Sequence, residues 1–196
     1  MFGLNRKPPK GGWPIERSKM TWLPADPNSQ STTDFDCGSE WYEREINNTV
    51  QEGKWALNPD VGAFEFFLNG KTVGYAFVVD KRYPYPDWVS TREEYVRVIY
   101  TAGINKRYRG KPDPYPGSDE TLAEVMFRVI EELPREVIRK DKVVGCVVGL
   151  FLQVYVENHH ARRFYEKIKF TQDIPRGETS SAKHPQPTIS LRKDLP

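Results

Sequence analysis

The clearest feature of the hydrophobic pattern is a pair of apolar runs, 63–68 and 71–80, joined by Asn69-Gly70. Both central residues of a two-residue hairpin turn need a positive φ, so this dipeptide between two such runs predicts a tight β-hairpin. A third run, 95–102, is rich in apolar and aromatic residues and predicts a strand that is buried on both faces. These runs indicate a β-sheet.

Three other segments place apolar residues at helical spacing. The first, about 39–52, begins after Ser39, which is a good N-cap. The second, about 119–133, carries one apolar stripe, and Pro134 helps to end it. The third covers about 159–168. The stripe of the second helix consists of Leu122, Val125, Met126, Val129, Ile130 and Leu133.

The longest apolar run, 143–156, is shorter than the roughly 20 residues that a membrane-spanning helix needs. We therefore interpret it as a buried strand and expect no membrane association. A last strand is predicted at 188–191. The order of these elements predicts an α/β fold, an α+β sandwich in which a central mixed sheet is flanked by helices.

Residues 36–196 are expected to form a single domain, because the sequence shows no repeat and no second set of elements. Residues 1–35 contain five of the 16 prolines and a polar stretch. They are expected to be a proline-rich extension, either packed on the body or loosely joined to it. Trp22 and Leu23 within it could form an edge strand.

Composition and charge exclude several classes of protein. The 196 residues are 38% hydrophobic and carry a net charge of only +2, so neither disorder nor a nucleic-acid partner is required. Cys37 and Cys146 are too few for a disulfide scaffold, and Cys146 is expected to be buried. The adjacent His159 and His160 point in different directions on a helix, so no metal site is expected. Residues 1–14 lack the apolar core of a signal peptide, and we expect a cytoplasmic protein.

A basic loop separates the third strand from the second predicted helix. Residues 105–111 carry four cations and no acid: Lys106, Arg107, Arg109 and Lys111. The N–H groups and dipole of a helix start attract anions, and Gly110 and Gly117 allow close backbone approach. This arrangement suits a pyrophosphate. A solvated basic loop with an ordinary helix cap at Ser118 accounts for the same residues.

The stretch 152–170 contains a strand end, an asparagine, a small residue, an aromatic-tyrosine pair and a phenylalanine. These residues are Asn158, Ala161, Phe164-Tyr165 and Phe170. Together with the loop 104–111, the pattern resembles the GNAT superfamily of acyl-CoA-dependent N-acetyltransferases. The resemblance covers about 60–170, and its two motifs lie in the family's order.

The sequence departs from the family pattern at two places. Residues 112–116, Pro-Asp-Pro-Tyr-Pro, separate Gly110 from Gly117, where the family loop continues directly into a second glycine pair. Lys169 replaces the usual glycine before Phe170, at a position that forms a structural turn.

The resemblance implies an acetyl-CoA site where the strands before and after the 119–133 helix splay apart. Lys106 and Arg107 are candidates for screening the phosphates. The residues assigned to the pantetheine arm are Ala102, Gly103 and Ile104 through their backbone and Asn158 through its side chain. The amides assigned to the pyrophosphate are those of Arg109, Gly110, Lys111, Gly117 and Ser118.

Tyr165 is the predicted general acid. The leaving thiolate has a solution pKa of about 8.5, and a phenol with a pKa of about 10 can protonate it if it is well placed. Tyr165 also lies on the apolar face of its helix, where a packing role explains it equally. Glu94 is the first candidate for the general base, Glu65 the second and Tyr100 a weaker third, although both carboxylates also read as surface groups.

The acceptor is expected to be a primary amine on a small molecule or a peptide. Residues 25–60 contain eight acids and two bases, a net charge of −6, and such a wall suits a cationic amine. A solvated helix face explains the same charges. A homodimer is compatible with the sequence.

Two other functions remain open. A GNAT-like domain that binds acyl-CoA without catalysis, as a sensor or scaffold, is favoured by the insertion at 112–116. A nucleic-acid-binding module, the less expected of the two, would use the basic residues of both motifs, with Tyr108 or Tyr115 stacking on bases. Acyl transfer to an RNA-linked amine would combine the two basic patches.

Overall fold

The computed structural model describes residues 12–25, 36, 61–82, 94–140, 142–172, 178–181 and 184–196. The helix predicted at 39–52, Cys37 and most of the acidic 25–60 segment lie outside these residues. Within them, ten strands join one mixed sheet, which two α-helices flank. The strands are β1 (Trp13–Pro14), β2 (Met20–Pro24), β3 (Val61–Leu68), β4 (Lys71–Arg82), β5 (Glu94–Ile104), β6 (Glu136–Arg139), β7 (Lys142–Tyr155), β8 (Thr171–Gln172), β9 (Glu178–Ser181) and β10 (His184–Asp194). The helices are α1 (Leu122–Glu132), α2 (His159–Lys167) and a 3₁₀ helix (Lys106–Tyr108).

The hairpin predicted at Asn69-Gly70 is confirmed. β3 and β4 pair antiparallel along their length. Asn69 and Gly70 have φ values of 51° and 73°, as this turn requires. The strand predicted around Trp22 is also present, because β2 pairs antiparallel with β3. The Trp22 ring lies 5.1 Å from the Trp13 ring and 5.4 Å from the Phe64 ring, centroid to centroid.

The chain divides into two compact units, and the boundaries between them fall within β4, within β5 and between α1 and β6. The first unit comprises residues 1–79 and 101–134, and the second comprises 80–100 and 135–196. In the first unit, α1 buries the predicted stripe and adds Phe127 to it. Gly74 on β4 is required there, since a Cβ at this position would lie 2.8 Å from the Gly103 carbonyl oxygen.

In the second unit, β7 is the central strand. β5 pairs parallel with it from Glu94↔Cys146 to Ile99↔Leu152, beyond which β5 continues to Ile104 and β7 to Tyr155. β10 pairs antiparallel with β7, and both β8 and β9 pair with β10. Parallel and antiparallel neighbours therefore occur together, as predicted for a mixed sheet.

The strand predicted to be apolar on both faces contains a buried ion pair. Arg97 has no exposed surface, and its Nε and Nη2 donate to the two carboxylate oxygens of Asp80 at 2.9 and 3.1 Å. Two parallel N–H···O bonds thus join one guanidinium to one carboxylate, and the two charges offset each other. This pairing explains how a guanidinium is accommodated in the core, where an unpaired charge would be strongly destabilising.

The prediction that 143–156 is a buried strand is correct only for its second part. Val143 is 61% exposed, and Cys146, expected to be buried, is exposed as well. The first residues of β7 pair with β6, a short strand that the sequence did not reveal. The mostly buried part of β7 begins at Val147, which packs with Tyr95 and Val137 in a hydrophobic cluster, and only Gln153 is exposed between Val147 and Val154.

Candidate functional site

The basic loop of the first unit starts at a buried asparagine. Asn105 is 4% exposed, and its N–H donates to the carbonyl of Val73 on β4 at 2.8 Å. Its Oδ1 caps the 3₁₀ helix by accepting the N–H of Arg107, and it also accepts the Nε–H of the same arginine, both at 3.2 Å. Asn105 therefore holds one edge of the Arg107 guanidinium. Sequence reasoning missed this role, although an asparagine before a turn is a common cap.

The four cations predicted in this loop are all exposed. Two of them lie near the half-buried ring of Tyr108. The Arg107 guanidinium carbon lies 6.0 Å from the ring centroid, and the Lys111 Nζ lies 5.7 Å from it. Cation–π attraction favours both contacts. Since residues 105–112 contain no acid, the loop forms a positively charged surface suited to an anion.

Residues 111–118, which include the insertion 112–116, fold back on the start of α1. The Asp113 N–H donates to the Glu120 carbonyl at 2.8 Å, and the Leu122 N–H donates to the Lys111 carbonyl at 3.1 Å. The insertion is therefore an ordered, closed loop whose two ends are joined at the first residue of the helix.

The helix begins at Leu122 rather than near 119, and its N-cap is Thr121 rather than Ser118. The Thr121 Oγ1 accepts the Glu124 N–H at 3.3 Å, while the Glu124 Oε2 accepts the Thr121 N–H at 2.7 Å. This capping box was readable as Thr-x-x-Glu directly before the apolar stripe. The Ser118 hydroxyl oxygen instead accepts the Glu120 N–H at 3.3 Å.

Three of the five amides assigned to a pyrophosphate donate within the loop itself. Arg109 donates to the Lys106 carbonyl at 3.3 Å, Lys111 to Tyr108 at 3.2 Å and Ser118 to Tyr115 at 3.0 Å. The other two belong to Gly110 and Gly117, which have φ values of 67° and 80° and open space where a Cβ would stand. Close backbone approach is therefore available at these two glycines.

Two side chains fasten the closed loop to the turn between β1 and β2. Asp113 is 3% exposed, and its Oδ1 accepts the Lys19 N–H at 3.1 Å. Its Oδ2 is buried and has no hydrogen-bond partner within the described ranges. Arg128 on α1 donates to the Glu120 carboxylate at 2.9 Å and to the Glu16 carbonyl at 3.0 Å. The hydrogen bonds to Glu120 and the charge of that carboxylate raise the pKa of Arg128.

The three residues assigned to a pantetheine arm end β5 directly before this loop. Ala102 and Gly103 are half-buried, and Ile104 is buried. The N–H that follows them, that of Asn105, is already paired with β4. The structure thus joins the strand end and the basic loop in one continuous segment of the first unit.

In the second unit, Asn158 caps α2. Its Oδ1 accepts the Ala161 N–H at 3.1 Å. The asparagine and the small residue of the motif are therefore partners in starting the helix. The predicted contact of Asn158 with a cofactor stays a prediction.

Tyr165 lies half-buried near the end of α2, between the rings of Phe164 at 5.5 Å and Phe170 at 5.7 Å. The Phe170 N–H donates to the Tyr165 carbonyl at 2.9 Å, and the Lys169 N–H donates to the Glu166 carbonyl at 3.0 Å. These two bonds form a Schellman motif, and Lys169 adopts a φ of 72° in the position that usually holds glycine. The structural turn expected before Phe170 is present, and Phe170 contacts both the backbone and the ring of Tyr165.

The candidate general bases have different surroundings. Glu94 begins β5, and its backbone pairs with Cys146; its catalytic role stays a prediction. Glu65 is not a surface group: it is 3% exposed, and its Oε1 accepts the hydroxyls of Thr72 at 2.6 Å and Tyr75 at 2.9 Å. Its burial follows from its place on β3, whose neighbours on β4 supply both donors.

Tyr100, the third candidate, is 57% exposed, and its hydroxyl accepts a hydrogen bond from the Lys81 ammonium. His159 and His160 are exposed at the start of α2, and the described residues contain no cluster of three side chains that could bind a metal. In the same part of the chain, no helix has both the length and the apolar character needed to cross a membrane.

No protein-family model and no curated protein matches the sequence. Solved structures do match. A mutant AtaT toxin bound to the C-terminus of the antitoxin AtaR and acetyl-CoA aligns with a TM-score of 0.56 and 12% identity, over 90% of this chain and 93% of that one. A GNAT-family acetyltransferase from Streptococcus pneumoniae aligns with a TM-score of 0.51 and 16% identity, over 90% and 99%. Arabidopsis thaliana NAA60 with a bisubstrate analogue aligns with a TM-score of 0.55 and 15% identity, over 90% and 99%.

At these identities, the likeness establishes the fold. The chain therefore has the fold of the GNAT acetyltransferases, and the resemblance found in its sequence is confirmed at that level.

Proposed function

We propose that this protein is an N-acetyltransferase that transfers an acetyl group from acetyl-CoA to a primary amine, by direct attack in a ternary complex. The main support is the segment that runs from the end of β5 to α1. It combines a strand end, four exposed cations without an acid and two open glycines. Such a segment suits a long cofactor arm that ends in phosphates, because the cations offset the phosphate charge.

Within this segment, we assign the backbone of Ala102, Gly103 and Ile104 to the pantetheine arm. The loop 109–111 and Gly117-Ser118 are assigned to the phosphates. Acetyl-CoA supplies the activated thioester, and these residues bind and orient it.

The reaction forms one bond and breaks one. The neutral amine nitrogen of the acceptor attacks the thioester carbonyl carbon, so that a C–N bond forms and the C–S bond breaks. Tyr165 is proposed to donate its phenolic proton to the leaving sulfur, and Glu94 to remove a proton from the acceptor ammonium. After the attack, the nitrogen still carries one proton more than a neutral amide, and it releases that proton to solvent. Proton transfer from Glu94 back to Tyr165 through solvent then restores both groups.

The acceptor is proposed to be a small-molecule or peptide amine, and the protein is proposed to act in the cytoplasm. The support for the acceptor is the net charge of −6 in the 25–60 segment of the sequence, which favours a cationic amine.

One observation favours a second candidate, an acyl-CoA-binding protein without catalysis. The insertion closes the loop, and the amides of Arg109, Lys111 and Ser118 are used within it. A cofactor loop that has been reshaped in this way is compatible with binding alone.

One experiment separates the two. Native mass spectrometry of the purified protein detects co-purified CoA, and a thiol-release assay then presents acetyl-CoA with polyamines, aminoglycosides, lysine and peptide N-termini. We expect CoA to be bound and at least one amine to release free thiol. Binding without thiol release from any amine would favour the non-catalytic protein, and no binding at all would contradict both proposals.

A further inference from the structure

Several N–H groups at the start of α1 already donate hydrogen bonds to acceptors of this chain. The Leu122 N–H donates to the Lys111 carbonyl, the Glu124 N–H donates to Thr121 Oγ1, and the Glu124 carboxylate accepts the Thr121 N–H at 2.7 Å. A helix start attracts phosphate through unpaired N–H groups and its dipole. Here a carboxylate already occupies that end, so a phosphate placed there would meet a like charge and few unpaired donors.

We propose that the guanidinium of Arg107, oriented by Asn105, holds the pyrophosphate of the cofactor in place of the helix start. This inference rests on the acetyl-CoA binding proposed above. The Nε of Arg107 is bound to the Asn105 Oδ1 at 3.2 Å, and its Nη1 and Nη2 have no acceptor among the residues that the structure describes. Two parallel donors on one guanidinium match two phosphate oxygens.

Asn105 is the positioning residue of this pair. It is 4% exposed, and its N–H donates to the Val73 carbonyl on β4, so the residue whose oxygen holds Arg107 is buried and bonded to the sheet. Lys111 lies near the same Tyr108 ring as Arg107 and adds a second positive charge to the loop. The loop thereby offers an oriented two-donor group, which flexible surface cations do not.

The test measures the dissociation constants of three thioesters by calorimetry. These are acetyl-CoA, acetyl-dephospho-CoA, which keeps the pyrophosphate but lacks the 3′-phosphate, and S-acetylpantetheine, which has no phosphate. Arg107→Gln is expected to weaken acetyl-CoA and acetyl-dephospho-CoA by about 10- to 100-fold, as for lost hydrogen bonds to a charged group, and to leave S-acetylpantetheine unchanged. Arg17→Gln, the same substitution at an exposed arginine in the β1–β2 turn, is the matched control and should change none of the three.

Three outcomes would overturn the proposal. An equal loss for all three thioesters would mean that Arg107 acts on the fold rather than on phosphate. A loss confined to acetyl-CoA would assign Arg107 to the 3′-phosphate. If Glu124→Gln lowers the dissociation constant of acetyl-CoA by at least the factor by which Arg107→Gln raises it, the phosphate lies at the helix start instead. We expect Glu124→Gln to leave acetyl-CoA binding unchanged.

The positioning role of Asn105 has its own test. Asn105→Ser keeps a capping oxygen but places it one bond closer to the backbone, away from the Arg107 Nε. It should weaken the two pyrophosphate thioesters and spare S-acetylpantetheine. In the double variant with Arg107→Gln, the two effects should not add, because they act on one interaction. Additive losses, or equal losses for all three thioesters, would mean that Asn105 only supports the fold.

These outcomes are separate from those of the proposed function. If the wild-type protein binds acetyl-CoA but releases no thiol, the acetyltransferase proposal fails. The dissociation constants of the three thioesters, compared between Arg107→Gln and the wild-type protein, still decide the role of Arg107. If the wild-type protein binds neither acetyl-CoA nor acetyl-dephospho-CoA, both proposals are overturned.

Discussion

The hydroxyl of Tyr165 is the group on which the proposed proton donation depends. Tyr165→Phe removes this hydroxyl and keeps the ring that packs between Phe164 and Phe170. We expect kcat to fall by about 10²–10³-fold, the usual contribution of a general acid, with acetyl-CoA binding unchanged. Steady-state thiol release and calorimetry measure the two quantities.

Tyr115→Phe is the control, because it removes the hydroxyl of an exposed tyrosine outside the proposed chemistry. It should leave kcat unchanged. If Tyr165→Phe turns over acetyl-CoA as fast as the wild-type protein, Tyr165 has no acid role and its place on α2 is explained by packing.

The buried Arg97–Asp80 pair makes a prediction about stability. Asp80→Asn removes a carboxylate that accepts two hydrogen bonds from a guanidinium with no exposed surface. We expect the free energy of unfolding to fall by about 3–5 kcal/mol, measured by urea denaturation. The control is Asp194→Asn, which removes the partner of Arg192 at a side chain that is 76% exposed, and it should cost at most about 1 kcal/mol. Similar losses in both variants would contradict this explanation.

At the scale of the element, the start of α1 is capped by Thr121 and not by Ser118, the cap that the sequence predicts. Thr121→Ala removes the oxygen that caps the Glu124 N–H. It should cost about 1 kcal/mol of unfolding free energy, the usual effect of losing an N-cap. Ser118→Ala should cost less, since the Ser118 hydroxyl serves only a turn before the helix. The reverse order, measured by urea denaturation, would restore Ser118 as the cap.

The end of α2 carries a lysine in a left-handed conformation. Lys169 has a φ of 72°, which is unfavourable for a residue with a Cβ. Lys169→Gly should therefore raise the unfolding free energy by about 0.5–1 kcal/mol, measured by thermal or urea denaturation. Lys167→Gly, inside the same helix, should lower it by a similar amount. A loss of stability in both variants would mean that the Lys169 side chain itself stabilises the turn.

For the whole molecule, ligand binding should raise the free energy of unfolding. A ligand that binds only the folded protein adds about 2.7 kcal/mol when its concentration is 100 times the dissociation constant. For a chain of this size, that corresponds to a rise in the melting temperature of about 5–10 °C. Differential scanning fluorimetry with millimolar acetyl-CoA tests this, with acetate as the control ligand. An unchanged melting temperature would contradict the proposed cofactor.

Local patterns predicted most of the elements correctly. The Asn69-Gly70 turn, the apolar stripe of α1 and the α2 motif depend on residues close together in sequence, so their chemistry is visible there. The Thr-x-x-Glu pattern of the capping box at Thr121 is local too, although Ser118 is the cap that the sequence predicts. In contrast, β6 is only a few residues long and has no periodicity to show.

The sequence by itself determined the order of the longer elements, the basic loop and the resemblance to GNAT acetyltransferases, because periodicity, turn residues and charge spacing act over a few residues. Only the tertiary structure decided which polar groups are buried and which amides are in use. Glu65 and Arg97 are buried because distant residues supply their partners. The amides of Arg109, Lys111 and Ser118 are paired by turns within the loop. The bond of Asn105 to Val73 on β4 is the tertiary contact beside Arg107, whose guanidinium Asn105 holds as the oriented donor of the loop.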